Sequence, residues 1–217
     1  FSGLSVTMPA KEQIMPLLNR VDETAKKIGA VNTLVKEGTD WVGYNTDCSG
    51  AISALEACTS LQGKNVLILG SGGTAKAIGY GVKEKGGKLT VTYNKNKERG
   101  ESLSKELDCE LAHARDAGMR AIDVLINCSP VGMSPNITES PFLARDFKEG
   151  MVVFDSVYNP LETRLLREAK LAGCMVIPGY ELFINQAARQ FELWTGQSAP
   201  INTLREVLLR KLATGGG

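Results

Sequence analysis

The spacing of hydrophobic residues changes at about residue 64. Before that point, short apolar segments alternate with polar residues and turn signals. They predict a strand before Lys11, a helix between Lys11 and Ala30 that Pro16 interrupts and Gly29 ends, a hairpin around Gly38, and a helix over 47–57. From Lys64 to Gly70, KNVLILG is apolar without alternation, which is typical of a strand buried on both faces of a parallel sheet.

Beyond residue 64, predicted strands alternate with predicted helices. The strands cover 64–70, 88–94, 121–128, 150–158 and 174–179, and the helices between them cover 71–86, 98–107 and 162–173. Two amphipathic helices follow, over 180–194 and 203–213. Strands that alternate with helices in this way predict βαβ units, and therefore an α/β fold with a doubly wound parallel sheet.

Composition excludes several classes of function. Lys plus Arg number 25 against 24 for Asp plus Glu, so we expect neither a nucleic-acid nor a membrane partner. Five scattered cysteines without a C-x-x-C pair, and the single histidine His113, expected at the surface, predict no metal site and no disulfide framework. We expect a soluble protein of the cytoplasm, or of a plastid if the source is a plant. Because the chain begins with Phe1, we also expect a fragment or one module of a longer polypeptide.

A glycine-rich turn, LGSGGTAKA, follows the first buried strand. Gly70 would let the chain leave the strand tightly, and Gly72 and Gly73 would let the backbone approach a pyrophosphate at the start of the next helix. A purely structural tight turn is the alternative. The strand before it and the helix after it favour dinucleotide binding.

The residues after the second buried strand indicate which dinucleotide binds. NKNKERG has no acidic residue before Glu98 that could bind a ribose 2′-hydroxyl, whereas Lys95, Lys97 and Arg99 are cationic. This pattern favours the 2′-phosphate of NADP. The alternative is a solvated run of charges that opens a helix.

Hydride transfer to a ketone requires a proton donor at the developing alkoxide. Without a plausible histidine, the donor must be a lysine, a tyrosine or a carboxylic acid. Lys11, oriented by Asp47, is the candidate outside the predicted cofactor-binding part. The alternatives are an ordinary lysine at a strand end and an aspartate that caps a helix.

Eight motifs, in the same order, resemble those of the shikimate dehydrogenase family: GLSVTMPAK, IGAVNT, GYNTDCSGAISAL, LGSGGTAKA, YNKNKER, NCSPVGM, VYNPLETRLLREA and GYELFINQAARQFELWTG. The resemblance covers essentially the whole chain and is closest to the module that is fused to dehydroquinate dehydratase. It implies an NADP-dependent, reversible reduction of 3-dehydroshikimate to shikimate. It also implies a small-molecule substrate and a dehydratase fused upstream.

The resemblance also implies site residues and lobes. Lys11 and Asp47 match the catalytic pair, and the substrate-binding residues are Thr7, Asn32, Tyr158 and Gln186. The cofactor-binding residues are Gly70, Ser71, Gly72, Gly73, Thr74, Asn94, Lys95, Asn96, Arg99 and Gly179, the last on the nicotinamide side. The implied architecture is an NADP-binding domain over 48–178 and a smaller, discontinuous substrate domain over 1–47 and 179–217, with a cleft between them.

The sequence departs from the family pattern at three places. Ala10 replaces an aromatic or imidazole ring before the catalytic lysine, and Lys95 replaces an arginine of the phosphate clamp. The family's N-terminal βα segment, which carries a Ser-x-Ser contact to the substrate carboxylate, has no counterpart in these residues. Two alternatives therefore stay open, namely a quinate dehydrogenase and a non-catalytic module that binds NADP or another ligand.

Overall fold

The structure, a computed structural model, describes residues 1–7 and 9–213. Residues 214–217 of the predicted substrate domain lie outside the described residues. Two sheets organise the described part, a small one of four strands and a larger one of six. Among the described residues, no helix is both long enough and apolar enough to cross a membrane.

The small sheet contains the first section of the chain. Its strands are β1 (Gly3–Ser5), β2 (Arg20–Val21), β3 (Thr33–Glu37) and β4 (Asp40–Tyr44), in the order β1-β3-β4-β2. The predicted hairpin is confirmed, because β3 and β4 pair in an antiparallel register with Gly38 between them at φ +64°. The predicted strand before Lys11 is β1, and it ends at Ser5 rather than directly before the lysine.

The prediction of one interrupted helix between Lys11 and Ala30 is wrong. The chain instead forms α1 (Ala10–Gln13), a 3₁₀ turn (Met15–Leu17), strand β2 and α2 (Glu23–Ile28). Pro16 cannot donate a backbone hydrogen bond, and Asp22 starts a new helix by accepting from the Thr24 amide at 2.9 Å. Gly29 ends α2 at φ +69°, as predicted.

The larger sheet is entirely parallel, in the order β10-β9-β8-β5-β6-β7. Its order reverses between β5 and β8, which places a ligand crevice at the carboxyl ends of these strands. The strands are β5 (Asn65–Leu69), β6 (Lys88–Tyr93), β7 (Glu110–His113), β8 (Val124–Asn127), β9 (Val152–Asp155) and β10 (Met175–Ile177). The helices are α3 (Thr46–Glu56), α4 (Gly73–Glu84), α5 (Lys97–Glu106), α6 (Arg164–Leu171), α7 (Gly179–Thr195) and α8 (Ile201–Ala213).

Strand β7 was not predicted. It is a short edge strand without a continuous apolar run, and it pairs with β6. His113 ends this strand and is half-buried rather than free at the surface, because its ring lies against Tyr93 with centroids 5.0 Å apart.

The continuous apolar run of β5 is explained by burial on both faces. Val66 and Ile68 pack into one core with α3 and α4, whereas Leu67 and Leu69 pack into a second core with α6. Polar residues are thereby confined to the ends of the strand. This arrangement leaves the carboxyl edge of the sheet as the place for polar chemistry.

Helices α3 and α7 join the two sheets at close range. A Cβ on Gly50 would lie 2.8 Å from the backbone nitrogen of Gln186, so the two helices approach as closely as a glycine allows. The predicted domain boundary between Asp47 and Cys48 falls inside α3. Both helices contribute side chains to the cleft described below.

Candidate active site

Lys11 and Asp47 form an ion pair in the cleft. Lys11 Nζ lies 2.6 Å from Asp47 Oδ2, and the two side chains are 18% and 12% exposed. Lys11 is in helix α1, which brings it towards the first turn of α3, where Asp47 lies. The interpretation of Asp47 as a helix cap is wrong, because Asn45 caps α3 by accepting from the Cys48 amide at 3.1 Å.

Asn32 holds the second oxygen of Asp47. Its Oδ1 accepts from the Thr46 amide at 2.7 Å, which fixes the orientation of the side-chain amide. Its Nδ2 lies 2.9 Å from Asp47 Oδ1 and 3.2 Å from Gln186 Oε1. Asn32 is only 2% exposed, so its visible contacts orient the carboxylate rather than face solvent.

One cavity of about 300 Å³ contains most of the predicted chemistry. Its walls come from both sheets. They carry the ion pair, Thr74 from the glycine-rich turn and Gly179 from the start of α7. The cavity is lined by Ser5, Val6, Thr7, Lys11, Asn32, Asp47, Thr74, Ser156, Tyr158, Gly179, Leu182, Phe183 and Gln186.

Tyr158, from the loop after β9, and Gln186, from helix α7, both line this cavity. Tyr158 is 42% exposed, and its ring packs against Phe183 with centroids 5.4 Å apart. All six residues predicted for catalysis and substrate binding therefore share one cavity. Sequence reasoning missed Ser5, Ser156 and Phe183, which carry no motif of their own.

The glycine-rich turn has the geometry expected of an anion site. Gly70 adopts φ +116°, and helix α4 begins at Gly73 without a side-chain cap on its first amides. A Cβ on Gly72 would point into the space 3.7 Å from Arg99 Nη2, whereas Gly73 has nothing near its Cβ position. Uncapped amides and a guanidinium around an open space fit a phosphate group.

Two further cavities meet at this turn. One of about 300 Å³ is lined by Ser71, Gly72, Gly73 and Arg99 together with Lys76 and Glu106, which form an ion pair at 2.5 Å. The other, of about 720 Å³, is lined by Gly70 and Asn94 among others. Like the cavity of Lys11, both are lined by residues of the glycine-rich turn at the carboxyl edge of the sheet, where a dinucleotide is expected to bind.

The predicted phosphate clamp is only partly assembled. Arg99 lines one of these two cavities and Asn94 lines the other, whereas Lys95 is exposed and lines neither. Asn96 Oδ1 accepts from the Arg99 amide at 2.8 Å and thereby caps α5. Its visible role is to position Arg99 at the start of that helix.

A buried polar cluster beneath the cleft was not predicted. Asn127 ends β8 and Asp155 ends β9, and Asn127 Nδ2 donates to Asp155 Oδ1 at 2.9 Å. Burial raises the pKa of the Asp155 carboxyl to about 6. The sequence could have indicated this cluster by the positions of Asn127 and Asp155 at the ends of two predicted strands. Polar side chains at the carboxyl ends of neighbouring parallel strands meet at the same edge of the sheet.

Comparison with known proteins assigns the family. The model of the shikimate dehydrogenase substrate binding domain matches residues 1–34, and that of the shikimate 5′-dehydrogenase C-terminal domain matches residues 179–209. The NADP(+)-dependent shikimate dehydrogenase of Syntrophobacter fumaroxidans is 40% identical over 204 residues, which cover 92% of this chain and 71% of that protein. The chain belongs to the shikimate dehydrogenase family.

Other members of the shikimate dehydrogenase family differ in length and name. The chloroplastic bifunctional 3-dehydroquinate dehydratase/shikimate dehydrogenase of Arabidopsis thaliana is 40% identical over 223 residues, which cover 92% of this chain and 36% of that protein. The solved structure of Thermus thermophilus shikimate 5-dehydrogenase with NADP(H) and shikimate gives a TM-score of 0.88 at 33% identity, covering 97% of this chain and 79% of that one.

Corynebacterium glutamicum quinate dehydrogenase in complex with NAD gives a TM-score of 0.90 at 31% identity, covering 97% of this chain and 78% of that one. Overall structure therefore does not separate the two activities. The predicted family and the α/β fold with a doubly wound sheet are confirmed.

Proposed function

We propose that the chain catalyses the reversible, NADP-dependent reduction of 3-dehydroshikimate to shikimate. The main support for this proposal is that the Lys11–Asp47 pair shares one cavity with Thr74 of the glycine-rich turn. A proton carrier is thereby placed next to the expected path of a dinucleotide. The curated relatives are named NADP(+)-dependent shikimate dehydrogenases, so the predicted enzyme class and cofactor are confirmed at the level of the family.

In reduction, Lys11 Nζ donates a proton to the oxygen of the substrate carbonyl, and in oxidation it accepts one from the hydroxyl. Asp47 Oδ2 accepts a hydrogen bond from Nζ and keeps the lysine directed into the cleft. Asn32, fixed by the Thr46 amide, keeps Asp47 from rotating away. NADPH supplies the hydride when bound.

Thr7, Tyr158 and Gln186 are the proposed substrate contacts, with Asn32 acting chiefly through Asp47. Hydroxyl, phenol and amide groups around one cavity suit a ring that carries several hydroxyl groups. The proposed cofactor contacts are Gly70, Ser71, Gly72, Gly73, Thr74, Asn94, Lys95, Asn96, Arg99 and Gly179. In this proposal the two domains run over 48–178 and over 1–47 with 179–217.

The test measures NADPH oxidation with 3-dehydroshikimate, with 3-dehydroquinate and without substrate. We expect a clearly higher kcat/KM for 3-dehydroshikimate. A higher value for 3-dehydroquinate would favour the quinate dehydrogenase that the Corynebacterium structure represents. No oxidation with either substrate, together with intact NADPH binding, would contradict the proposal and favour a non-catalytic binding module.

Two further aspects belong to the proposal. The bifunctional Arabidopsis relative supports a dehydratase fused upstream of this chain, which the upstream coding sequence would test. The five cysteines are all free thiols, which supports a reducing compartment such as the cytoplasm or a plastid. Localisation of a tagged full-length protein would test the compartment.

A further inference from the structure

The polar cluster at the ends of β8 and β9 is completely buried and fully hydrogen-bonded. Asn127, Asp155 and Thr163 are each 0% exposed. Asp155 Oδ2 accepts from the Thr163 hydroxyl at 2.6 Å, and its Oδ1 accepts from the Val157 amide at 3.0 Å and from Asn127 Nδ2 at 2.9 Å. Burying a carboxylate costs free energy unless hydrogen bonds compensate for the lost water. The three donors to Asp155 supply that compensation and indicate a structural role for this group.

The cluster fixes the two loops that leave these strands. Asn127 Oδ1 accepts from the Ser129 amide at 2.9 Å and from the Ser129 hydroxyl at 2.7 Å, which holds the loop after β8. The bond from the Val157 amide to Asp155 holds the loop after β9. One carboxylate therefore ties together two loops and, through Thr163, the start of α6.

These loops form one end of the cleft. Ser156 and Tyr158, on either side of Val157, line the cavity that contains Lys11. A Cβ on Gly179 would lie 2.3 Å from the Val157 carbonyl oxygen, so the start of α7 rests directly on the loop after β9. A dinucleotide that passes the glycine-rich turn towards Lys11 must end against this loop.

We propose that Asp155, together with Asn127 and Thr163, is a positioning residue that sets the loops at the nicotinamide end of the cleft. This inference rests on the proposed function, because it assumes a nicotinamide dinucleotide bound along the carboxyl edge. Because Asp155 is 0% exposed, it is not available for contact with substrate or cofactor. It acts through the Val157 amide and thereby through Ser156, Tyr158 and Gly179.

The test compares the binding of two probes, NADPH and adenosine 2′,5′-bisphosphate. Both present an adenosine 2′-phosphate, but only NADPH reaches the loop after β9. In Asp155→Asn, an NH2 group replaces one acceptor oxygen, so at least one donor of the cluster loses its partner. We expect NADPH to bind about tenfold more weakly, the equivalent of about one lost hydrogen bond, and the bisphosphate to bind within about twofold of the wild type.

Thr163 provides a second, graded test. Thr163→Val removes the hydroxyl at nearly constant volume and should also weaken NADPH binding selectively, whereas Thr163→Ser keeps the hydroxyl and should bind both probes like the wild type. Val153→Ala is the matched control, because Val153 is fully buried on the same strand but belongs to the apolar core. It should lower the Tm without changing the affinity for either probe.

Two results would overturn the inference. One is wild-type NADPH affinity in both Asp155→Asn and Thr163→Val, and the other is equal weakening of both probes, which would indicate a general effect on the fold. If Asp155→Asn does not fold, the affinities of Thr163→Val for the two probes test the inference by the same criteria. Binding requires no turnover, so a chain inactive on 3-dehydroshikimate would contradict the proposed function and leave this result standing. In an active chain, Asp155→Asn should raise the KM for NADPH and, because the same loop carries Tyr158, should also raise the KM for 3-dehydroshikimate.

Discussion

Replacing Lys11 by alanine tests the proposed proton transfer most directly. General acid–base catalysis contributes about 10²–10⁴ in rate, which corresponds to about 3–5 kcal/mol of transition-state stabilisation. Among the described residues that line the cavity, Lys11 is the only amine, and the Tyr158 phenol is partly exposed and packs against Phe183. We therefore expect kcat to fall by about a hundredfold or more, because no equivalent donor is held at the same place.

The cost to stability should be smaller than the cost to turnover. Asp47 keeps its contact with Asn32, so the loss of one partner at a partly exposed pair should cost about 1–3 kcal/mol. Lys36→Ala, an exposed lysine on β3 outside the cavity, is the control. The assay is steady-state NADPH oxidation together with NADPH titration. Near-normal kcat in Lys11→Ala, or an equal loss of turnover in Lys36→Ala, would refute the assigned role.

Three further predictions concern the cofactor turn and the buried carboxyl. Lys95→Arg should raise the ratio of kcat/KM for NADPH over NADH roughly fivefold, because a guanidinium fork replaces a point charge. Gly70→Ala should cost about 1–3 kcal/mol in unfolding free energy, since φ is +116° and the Cβ would lie 3.2 Å from Cys128 C, whereas Gly73→Ala, with open space at its Cβ, should cost little. Burial raises the pKa of Asp155 from 3.8 to about 6, so the folded protein binds this proton more tightly than the unfolded chain does. The stabilisation by the protonated carboxyl is therefore fully present below pH 3.8 and is lost as pH rises through 6, which lowers the unfolding free energy by about 3 kcal/mol in total. Denaturant unfolding of wild type and Asp155→Asn across this range should show the slope only in the wild type, and parallel curves would contradict it.

Sequence patterns predicted the strongest elements and the motifs that carry their own chemistry. KNVLILG and the glycines after it were sufficient for β5, the turn and α4, because a run buried on both faces cannot alternate. Lys11 and Asp47 were predicted by the absence of a usable histidine and by the resemblance. The structure brings their charged atoms to 2.6 Å, and a separation of 36 positions along the chain could not reveal that distance.

The features that were missed depend on tertiary contacts. Strands β2 and β7 have two and four residues and form by pairing with a neighbour rather than by their own pattern. Asn45 rather than Asp47 caps α3, and the two are indistinguishable by residue preference alone. Asp155 lies next to Asn127 only because β8 and β9 are neighbours, and no local spacing encodes strand order.

Helix α7 contributes Gly179 and Gln186 to both proposed ligand sites, so we expect the binding of the two ligands to be thermodynamically linked. Gly179 at its start rests on the loop after β9, and Gln186, roughly 10 Å further along the axis, meets Asn32 beside the ion pair. Further on, Gln190 Nε2 donates to Ser5 Oγ at 3.1 Å, and Trp194 Nε1 donates to the Leu34 carbonyl at 2.9 Å. A rigid helix cannot shift at one end alone, so a ligand that moves Gly179 changes the free energy of binding at Gln186. Linkage makes that coupling reciprocal, and each ligand alters the affinity for the other by the same factor.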